Sequence, residues 1–383
     1  MRVAFLTTDN REFTKSYGQP FPFFGTAPQA VLQGFATLTG LECHVVCCLQ
    51  QPASMPEKIG PNIWYHGLVV PKLGWMRTGY LGCVRAVRRR LKLIQPDIVH
   101  GQGTERECAM CAVLSGYPNV LTLHGIMGRM ARVLRARPGS FYWMASLLES
   151  FAIRRSMGVL CNSSYTESAL RGRARRTWRV ANPVRSVFFE QPVGSGRLKP
   201  PRLLNVGTIA PHKRQIEVLD LGHRLFRRGL EFELVFIGDL DSDSAYGAEF
   251  QRRLAAVSAA GFARFEGRKE EEALRACYDS ASALLHFPLE ESFGLVVAEA
   301  LARNLKLFGS RTGGMVDVAE GVEGAELFEP DDWPAAESAI EKWLRTGGVA
   351  PLGAAATIRE RYSPARIAAR HQQIYEEVLS NFS

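Results

Sequence analysis

Apolar residues along this chain show two textures. Some form short continuous runs rich in Val, Ile, Leu and Phe; others recur every third or fourth position over longer stretches. The first texture predicts strands buried on both faces, and the second predicts helices with one apolar face. In the first half, strands are expected at 2–7, 42–48, 62–69, 97–100, 118–123 and 157–161. Helices are expected between them, near 27–38, 80–94, 104–115, 139–155 and 163–170. The second half repeats the rhythm, with strands at 202–206, 232–237, 263–265, 281–286, 305–308 and 326–328. Its helices fall near 213–228, 246–259, 270–278, 293–303, 314–319, 332–345 and 364–380. Such alternation predicts βαβ units, and two such series predict an α/β chain with two doubly wound parallel-sheet domains. The turn-rich stretch 182–200, with Asn182-Pro183 and Gly194-Ser195-Gly196, lacks periodicity and reads as the linker. The expected domains are 1–190 and 191–363, with a final helix at about 364–383 assigned to the first. Open parallel sheets bind ligands beyond the carboxyl ends of their strands, so the loops after strands are where chemistry is sought.

A length of 383 residues fits two domains at roughly 150 residues each. The 46% hydrophobic and 22% charged shares are those of a globular protein. No apolar run approaches the roughly 18 residues needed to span a bilayer. The first strand starts at residue 2 with no cationic segment or long apolar core before it, which predicts no cleaved secretory signal. Eight scattered cysteines sit mostly inside apolar runs and read as buried thiols of a reducing compartment. Cys108 and Cys111 form a lone CxxC with no second pair to complete a zinc site, so they are expected to pack a helix. The net charge of +9 is unevenly placed: 24 Lys+Arg against 10 Asp+Glu in residues 1–190, and 23 against 28 in the remainder. A basic half and a mildly acidic half face different partners.

Three strand-end segments carry candidate chemistry. In Pro288-Leu289-Glu290-Glu291-Ser292-Phe293-Gly294-Leu295, a strand ends, two acids follow and a helix begins, with Glu299 a little over two turns beyond Glu291. Backbone N–H groups at a helix start suit an anionic phosphate, and carboxylates accept hydrogen bonds from sugar or ribose hydroxyls. An ordinary capped surface helix would look the same in isolation. Asn205-Val206-Gly207-Thr208 through Lys213-Arg214 is a strand, a glycine turn and a lysine at the next helix, a place where a cation can neutralise a departing diphosphate. Arg311-Thr312-Gly313-Gly314 is again a strand end with glycines, which allow close backbone approach to phosphate. GxGxxG follows none of the expected strands, which disfavours a hydride-transfer enzyme.

Together and in this order, these segments resemble the donor half of the family 4 glycosyltransferases of the GT-B fold, two Rossmann-like domains facing a cleft. The family signature Glu-x-Phe-Gly-x-x-x-x-Glu is matched from Glu291 to Glu299. The resemblance implies that Glu291 and the backbone of Phe293, Gly294 and Leu295 hold the donor sugar and its phosphates. It implies that Glu299 takes the ribose hydroxyls and Lys213 the diphosphate. The family's usual Gly-Arg reads Gly207-Thr208, so a second phosphate cation is missing, and Lys213, Arg214 or Arg268 are the candidates to compensate. Phe265-Glu266-Gly267-Arg268 is similar to the turn that cradles the base, which makes Gly267 and Arg268 base contacts. In the first half, Phe24-Gly25-Thr26-Ala27 resembles the acceptor-side loop, giving Gly25 and Thr26. Leu123-His124-Gly125 resembles the strand end whose histidine reaches the donor sugar.

The implied activity is transfer of a sugar from a nucleotide-diphosphate donor, UDP by family frequency, to a hydroxyl acceptor. Anomeric retention, independence from metal and the absence of any cofactor beyond the donor are also implied, as is a role in cell-surface polysaccharide, lipopolysaccharide or glycolipid synthesis. The two DxD patterns in Asp239–Asp243 fit a solvated turn better than a metal site in this architecture. Basic clusters at Arg85–Lys92, Arg129–Arg137 and Arg171–Arg179 suit an anionic acceptor or membrane surface. Nucleic acid is the rival partner, but no helix-turn-helix, RNP or zinc-finger signature accompanies the charge. A cytoplasmic protein, peripheral on the inner membrane face, is expected, with a carbohydrate or lipid-linked glycan as acceptor. Two alternatives stand beside transfer: a nucleotide-sugar epimerase of the same fold, and a non-catalytic sugar- or nucleic-acid-binding protein.

Overall fold

The computed structural model describes residues 1–191, 199–258 and 261–381. Residues 192–198 of the expected linker, residue 259 of an expected helix and residues 382–383 lie outside the described residues. The chain divides into two compact units, Met1–Arg185 together with the segment that begins at Tyr362, and Ser186–Arg361.

The first unit holds eight strands: β1 (Arg2–Leu6), β2 (Glu42–Leu49), β3 (Lys58–Gly60), β4 (Ile63–Val69), β5 (Ile98–Gln102), β6 (Asn119–Leu123), β7 (Val159–Cys161) and β8 (Thr177–Arg179). They form one sheet in the order β3-β4-β2-β1-β5-β6-β7-β8, parallel except for the β3–β4 pair. Its inner strands are buried along nearly their whole length, as a sheet covered on both faces requires. One face packs against helices Leu81–Ile94, Glu107–Val113 and Phe141–Arg155 through Val84, Val87, Leu91, Ala109 and Ile153. The other packs against helices Thr26–Phe35 and Pro364–Ser380, where Phe35 lies edge-on to Phe5 at 5.7 Å and to His371 at 5.7 Å. Gly34 permits that second layer: a Cβ there would run into the backbone of Pro364 and the side chain of Ala368.

The second unit holds β9 (Arg202–Val206), β10 (Glu233–Ile237), β11 (Ala263–Phe265), β12 (Ala283–His286), β13 (Lys306–Ser310) and β14 (Ala325–Phe328), all parallel, in the order β11-β10-β9-β12-β13-β14. Its core is built from Leu203, Leu234, Phe236, Leu285 and Phe308 with Leu219, Phe250 and Ile340 from the covering helices.

Every expected strand is present within a few residues. The strands not anticipated, β3 and β8, are three residues each and expose charged side chains, so they carry no buried run. Helix Asn10–Thr14 is one turn, set by the Asp9 carboxylate accepting from the Arg11 N–H, and Ala354–Tyr362 is alanine-rich with a weak apolar face. The expected helix 139–155 begins at Phe141, and a separate helix Met127–Val133 precedes it. No helix among the described residues is long and apolar enough to cross a membrane.

Candidate functional site

The strand order of the second sheet reverses between β9 and its neighbour β12, with successive strands stepping outward to either side, which marks the point where open α/β sheets bind ligands. The loops that leave these two strands carry Lys213 and Glu291. The Lys213 Nζ donates to Glu291 Oε2 at 2.7 Å, and His286, the last residue of β12, brings its Nε2 within 3.3 Å of the same oxygen. A carboxylate can only accept here, so the His286 proton is on Nε2. Burial alone would push the Glu291 carboxyl up. The Lys213 ammonium and the His286 hydrogen bond overcome that effect and hold it well below the usual carboxylate range. Burial also keeps the His286 imidazole below its ordinary value against the pull of Glu291, so it is neutral near pH 7.

Backbone contacts knit these loops together. Leu289 N–H donates to the His212 carbonyl at 2.8 Å, Ser310 Oγ to the Pro288 carbonyl at 3.0 Å, and Gly314 N–H to the Glu291 carbonyl at 2.9 Å. Gly313 has φ +57°, and a Cβ there would strike the Glu291 carbonyl, so no other residue type fits. Gly294, at φ +97°, caps helix Leu295–Ala302 without any side-chain hydrogen bond. The first N–H groups of a helix lack an intrahelical acceptor, and the positive end of its dipole favours anions. Phe293 is buried beside this start, and Glu299 is buried in the helix's second turn.

On the other side of β9, Gly207 N–H donates to the Ile237 carbonyl at 2.9 Å, Ile209 N–H to the Asp239 carbonyl at 2.8 Å, and Gly238 N–H to the Gly267 carbonyl at 3.1 Å. Gly207, Thr208, Gly267 and Arg268 therefore belong to one connected rim beyond β9, β10 and β11. Thr208 is exposed and Arg268 is half-exposed, loosely paired with Asp239 at 3.7 Å and Glu270 at 3.9 Å. Arg214 departs from this group. Its guanidinium pairs with Asp331 at 2.6 Å and Glu217 at 3.3 Å and lies 4.8 Å over the Trp333 ring, because its φ of +59° turns the chain into helix Gln215–Arg227. Among the candidates to replace the missing phosphate arginine, Lys213 and Arg268 remain. Asp241 caps the Asp243 N–H at 3.1 Å, and no cluster of three or more acidic, histidine or cysteine side chains suited to a metal occurs among the described residues.

In the first unit, Gly25 and Thr26 open helix Thr26–Phe35 without a side-chain cap. The loop leading there from β1 is fixed by a fully buried pair: the Arg11 guanidinium meets Asp9 at 2.7 Å, and Tyr65 Oη donates to Asp9 Oδ2 at 2.7 Å. Arg11 spends its remaining N–H groups on the carbonyls of Gln19 and Ser54, each at 3.0 Å. His124 follows β6, and its Nε2 meets Gln102 Oε1 at 3.0 Å. The Gln102 amide donates to His100 Nε2 at 2.9 Å, leaving His100 Nδ1 to donate to Tyr375 Oη at 2.6 Å on the final helix. Burial lowers both imidazoles, so the chain from His124 to Tyr375 is neutral and orients His124. Sequence reasoning missed His286, although its position as the last residue before the acidic loop was a usable signal, and missed the Asp9–Arg11–Tyr65 cluster, whose third member is distant in the chain from the other two.

Two doubly wound units with strand-end loops of this kind define the glycosyltransferase class of the GT-B fold. The family model for glycosyl transferases group 1 matches residues 189–356, and that for glycosyltransferase family 4 matches residues 31–185. The chain belongs to the family 4, group 1 glycosyltransferases. Similar solved structures include sucrose-phosphate synthase from Thermosynechococcus elongatus (19% identity, all of both chains covered, TM-score 0.76). HepE from Anabaena in complex with UDP-glucose is 16% identical over all of both chains, with a TM-score of 0.68. The lipopolysaccharide outer core galactosyltransferase WaaB is 19% identical over 98% of this chain and 100% of its own, with a TM-score of 0.66. At these identities the likeness is one of fold. No curated protein is a significant match in sequence.

Proposed function

We propose that this glycosyltransferase moves a sugar from a nucleotide-diphosphate donor to a hydroxyl acceptor with retention of configuration and without a metal. The observation that carries this reading is the Lys213–Glu291 pair straddling the β9/β12 reversal, next to the uncapped helix start at Gly294. Lys213 and the N–H groups at Gly294 and Leu295 neutralise the donor phosphates, the work a divalent cation does elsewhere. Glu291, kept ionised by Lys213 and His286, accepts from the sugar hydroxyls, and Glu299 from the ribose. Gly313 and Gly314 bring backbone close to the phosphates, and Gly207, Thr208, Gly267 and Arg268 line the nucleotide end. Structures of HepE with UDP and with UDP-glucose support a uridine donor.

The first unit takes the acceptor, with Gly25 and Thr26 at its helix start and a neutral His124 at the end of β6. In the transfer step, the acceptor oxygen bonds to the anomeric carbon on the face that the phosphate oxygen leaves. The departing diphosphate takes the acceptor proton, so no enzyme nucleophile is needed. The excess of cations in the first unit fits an acceptor presented at an anionic surface, as in glycolipid or surface-polysaccharide synthesis. The test is a panel of UDP-, GDP-, ADP- and dTDP-sugars with and without EDTA. The reading predicts hydrolysis or transfer with one nucleotide class, unchanged by EDTA and lost in Lys213→Ala. Turnover that survives in Lys213→Ala or requires a divalent ion would overturn it.

A further inference from the structure

Helix Phe141–Arg155 closes over the first unit's core through Ala145, Ala152 and Ile153. Its outward face is not polar. Every exposed position ahead of Arg154 is apolar: Phe141 (44%), Trp143 (38%), Leu147 (53%) and Phe151 (41%). Trp143, Leu147 and Phe151 are four residues apart and form one stripe along the helix. The preceding helix adds exposed Val133. A surface helix normally carries charge on that face, and a contiguous apolar stripe ringed by polar groups marks an interaction surface.

The ring here is cationic. Arg132 lies in the last turn of the preceding helix, Arg135 and Arg137 lie between the two helices, and Arg154 and Arg155 follow the stripe. All five are exposed, and none forms an ion pair with a carboxylate among the described residues. From Ile126 to Met157 the one acidic residue is Glu149, and it is buried. It accepts from Met127 N–H at 3.0 Å and Thr104 Oγ1 at 2.8 Å, tying the two helices together instead of compensating the arginines.

We propose that this helix pair seats the first unit on an anionic bilayer. The stripe lies in the membrane plane at the boundary between headgroups and acyl chains, and the arginines pair with lipid phosphates. A dissolved anion would engage the arginines and leave the aromatic stripe in water; a bilayer covers both. The inference deepens the reading that the acceptor is presented at an anionic surface, and rests on it.

The test is co-sedimentation of the full-length protein with vesicles of phosphatidylcholine alone or mixed with phosphatidylglycerol, with UDP-glucose binding measured on the same samples. The wild type binds the anionic vesicles and not the neutral ones, and a blue shift of its tryptophan emission on binding is absent in Trp143→Phe. Leu147→Glu with Phe151→Glu weakens binding at least about tenfold at an unchanged thermal midpoint, because both positions are already exposed. Replacing Arg132, Arg135 and Arg137 with Gln weakens it by roughly a hundredfold. Equal binding by the double glutamate variant, or a wild type that ignores vesicles yet binds heparin, would overturn the proposal. UDP-glucose binding is retained in all these variants, and its absence from the wild type would count against the uridine-donor reading alone, leaving the vesicle result intact.

Discussion

The two units treat their positive charge in opposite ways. In the second, arginines are held by acids: Arg202 with Glu233 at 2.9 Å, Arg224 with Glu337 at 2.6 Å, Arg253 with Asp220 at 2.7 Å and Arg303 with Asp279 at 2.5 Å. In the first, Arg85, Arg88, Arg89, Arg132, Arg135 and Arg137 are exposed, and none has a carboxylate partner among the described residues. A paired arginine is part of a scaffold, and an unpaired one raises the potential outside the molecule. The second unit can therefore present one cation, Lys213, in a defined place, its reach fixed by Glu291. The first spreads its field over a surface and holds the fully buried Asp9–Arg11 ion pair out of solvent altogether. The lesson is that a basic balance says little until the pairing is known: the second unit is rich in arginine too, and spends it internally.

The comparison breaks most visibly at the second unit's site. Lys213→Ala and Glu291→Ala should each lower transfer by on the order of 10²–10³-fold, since the proposed mechanism sets Lys213 against the developing phosphate charge and Glu291 against the sugar. Circular dichroism and the thermal midpoint check that the fold persists. His286→Ala should lower turnover less, and His286→Gln, which can still donate to Glu291, should recover part of it; equal activity in all three proteins would dismiss His286 as a positioning residue.

Next in size are the first unit's interior charges. Asp9→Asn leaves Arg11 buried without its partner and should cost about 3–5 kcal/mol in urea unfolding. Glu107 is buried, and burial pushes its carboxyl up to about 7. Its folded value lies above its unfolded one, so its protonated form is favoured by folding and stability falls as pH rises through 7. Glu107→Gln should therefore stabilise the protein at pH 8 by about 1–3 kcal/mol and have little effect at pH 4. An unchanged midpoint at pH 8 would show that the carboxylate is better solvated than its burial indicates.

The smallest effects sharpen the contrast in sign. Arg202→Gln should destabilise by less than about 1 kcal/mol, because a partly exposed pair is lost. Arg85→Gln should do nothing or stabilise by a few tenths of a kcal/mol, because Arg89 sits one turn away with the same charge. Stability measured in low and high salt separates the two: the Arg85 effect fades with salt.

Most of this architecture was legible in the sequence, for a physical reason. Strands buried on both faces read as continuous apolar runs, so β9 to β14 and the inner strands of the first sheet were all anticipated. The elements that escaped are β3, β8 and helices Asn10–Thr14, Met127–Val133 and Ala354–Tyr362; they are short or have only a weak apolar face, so they bury no continuous run of their own. At the site, positions after strand ends were readable, and Lys213 and Glu291 do meet. Where a side chain points was not: Arg214 neighbours Lys213 in the chain, yet its left-handed backbone sends it to Asp331 and Trp333. The Asp9–Arg11–Tyr65 cluster joins a helix start to β4, and the His124–Gln102–His100–Tyr375 chain joins β5 and the end of β6 to the final helix; local patterning does not report contacts between such separate elements.

The central claim is that the second unit binds a nucleotide-diphosphate sugar through Lys213 and Glu291 without a metal. Calorimetric titration of UDP-glucose into wild type, Lys213→Ala and Glu291→Ala, each in EDTA, tests it most directly. The account predicts saturable binding by the wild type and a loss in both variants. Binding by Lys213→Ala as tight as wild type, or binding that appears only when a divalent ion is restored, would contradict it.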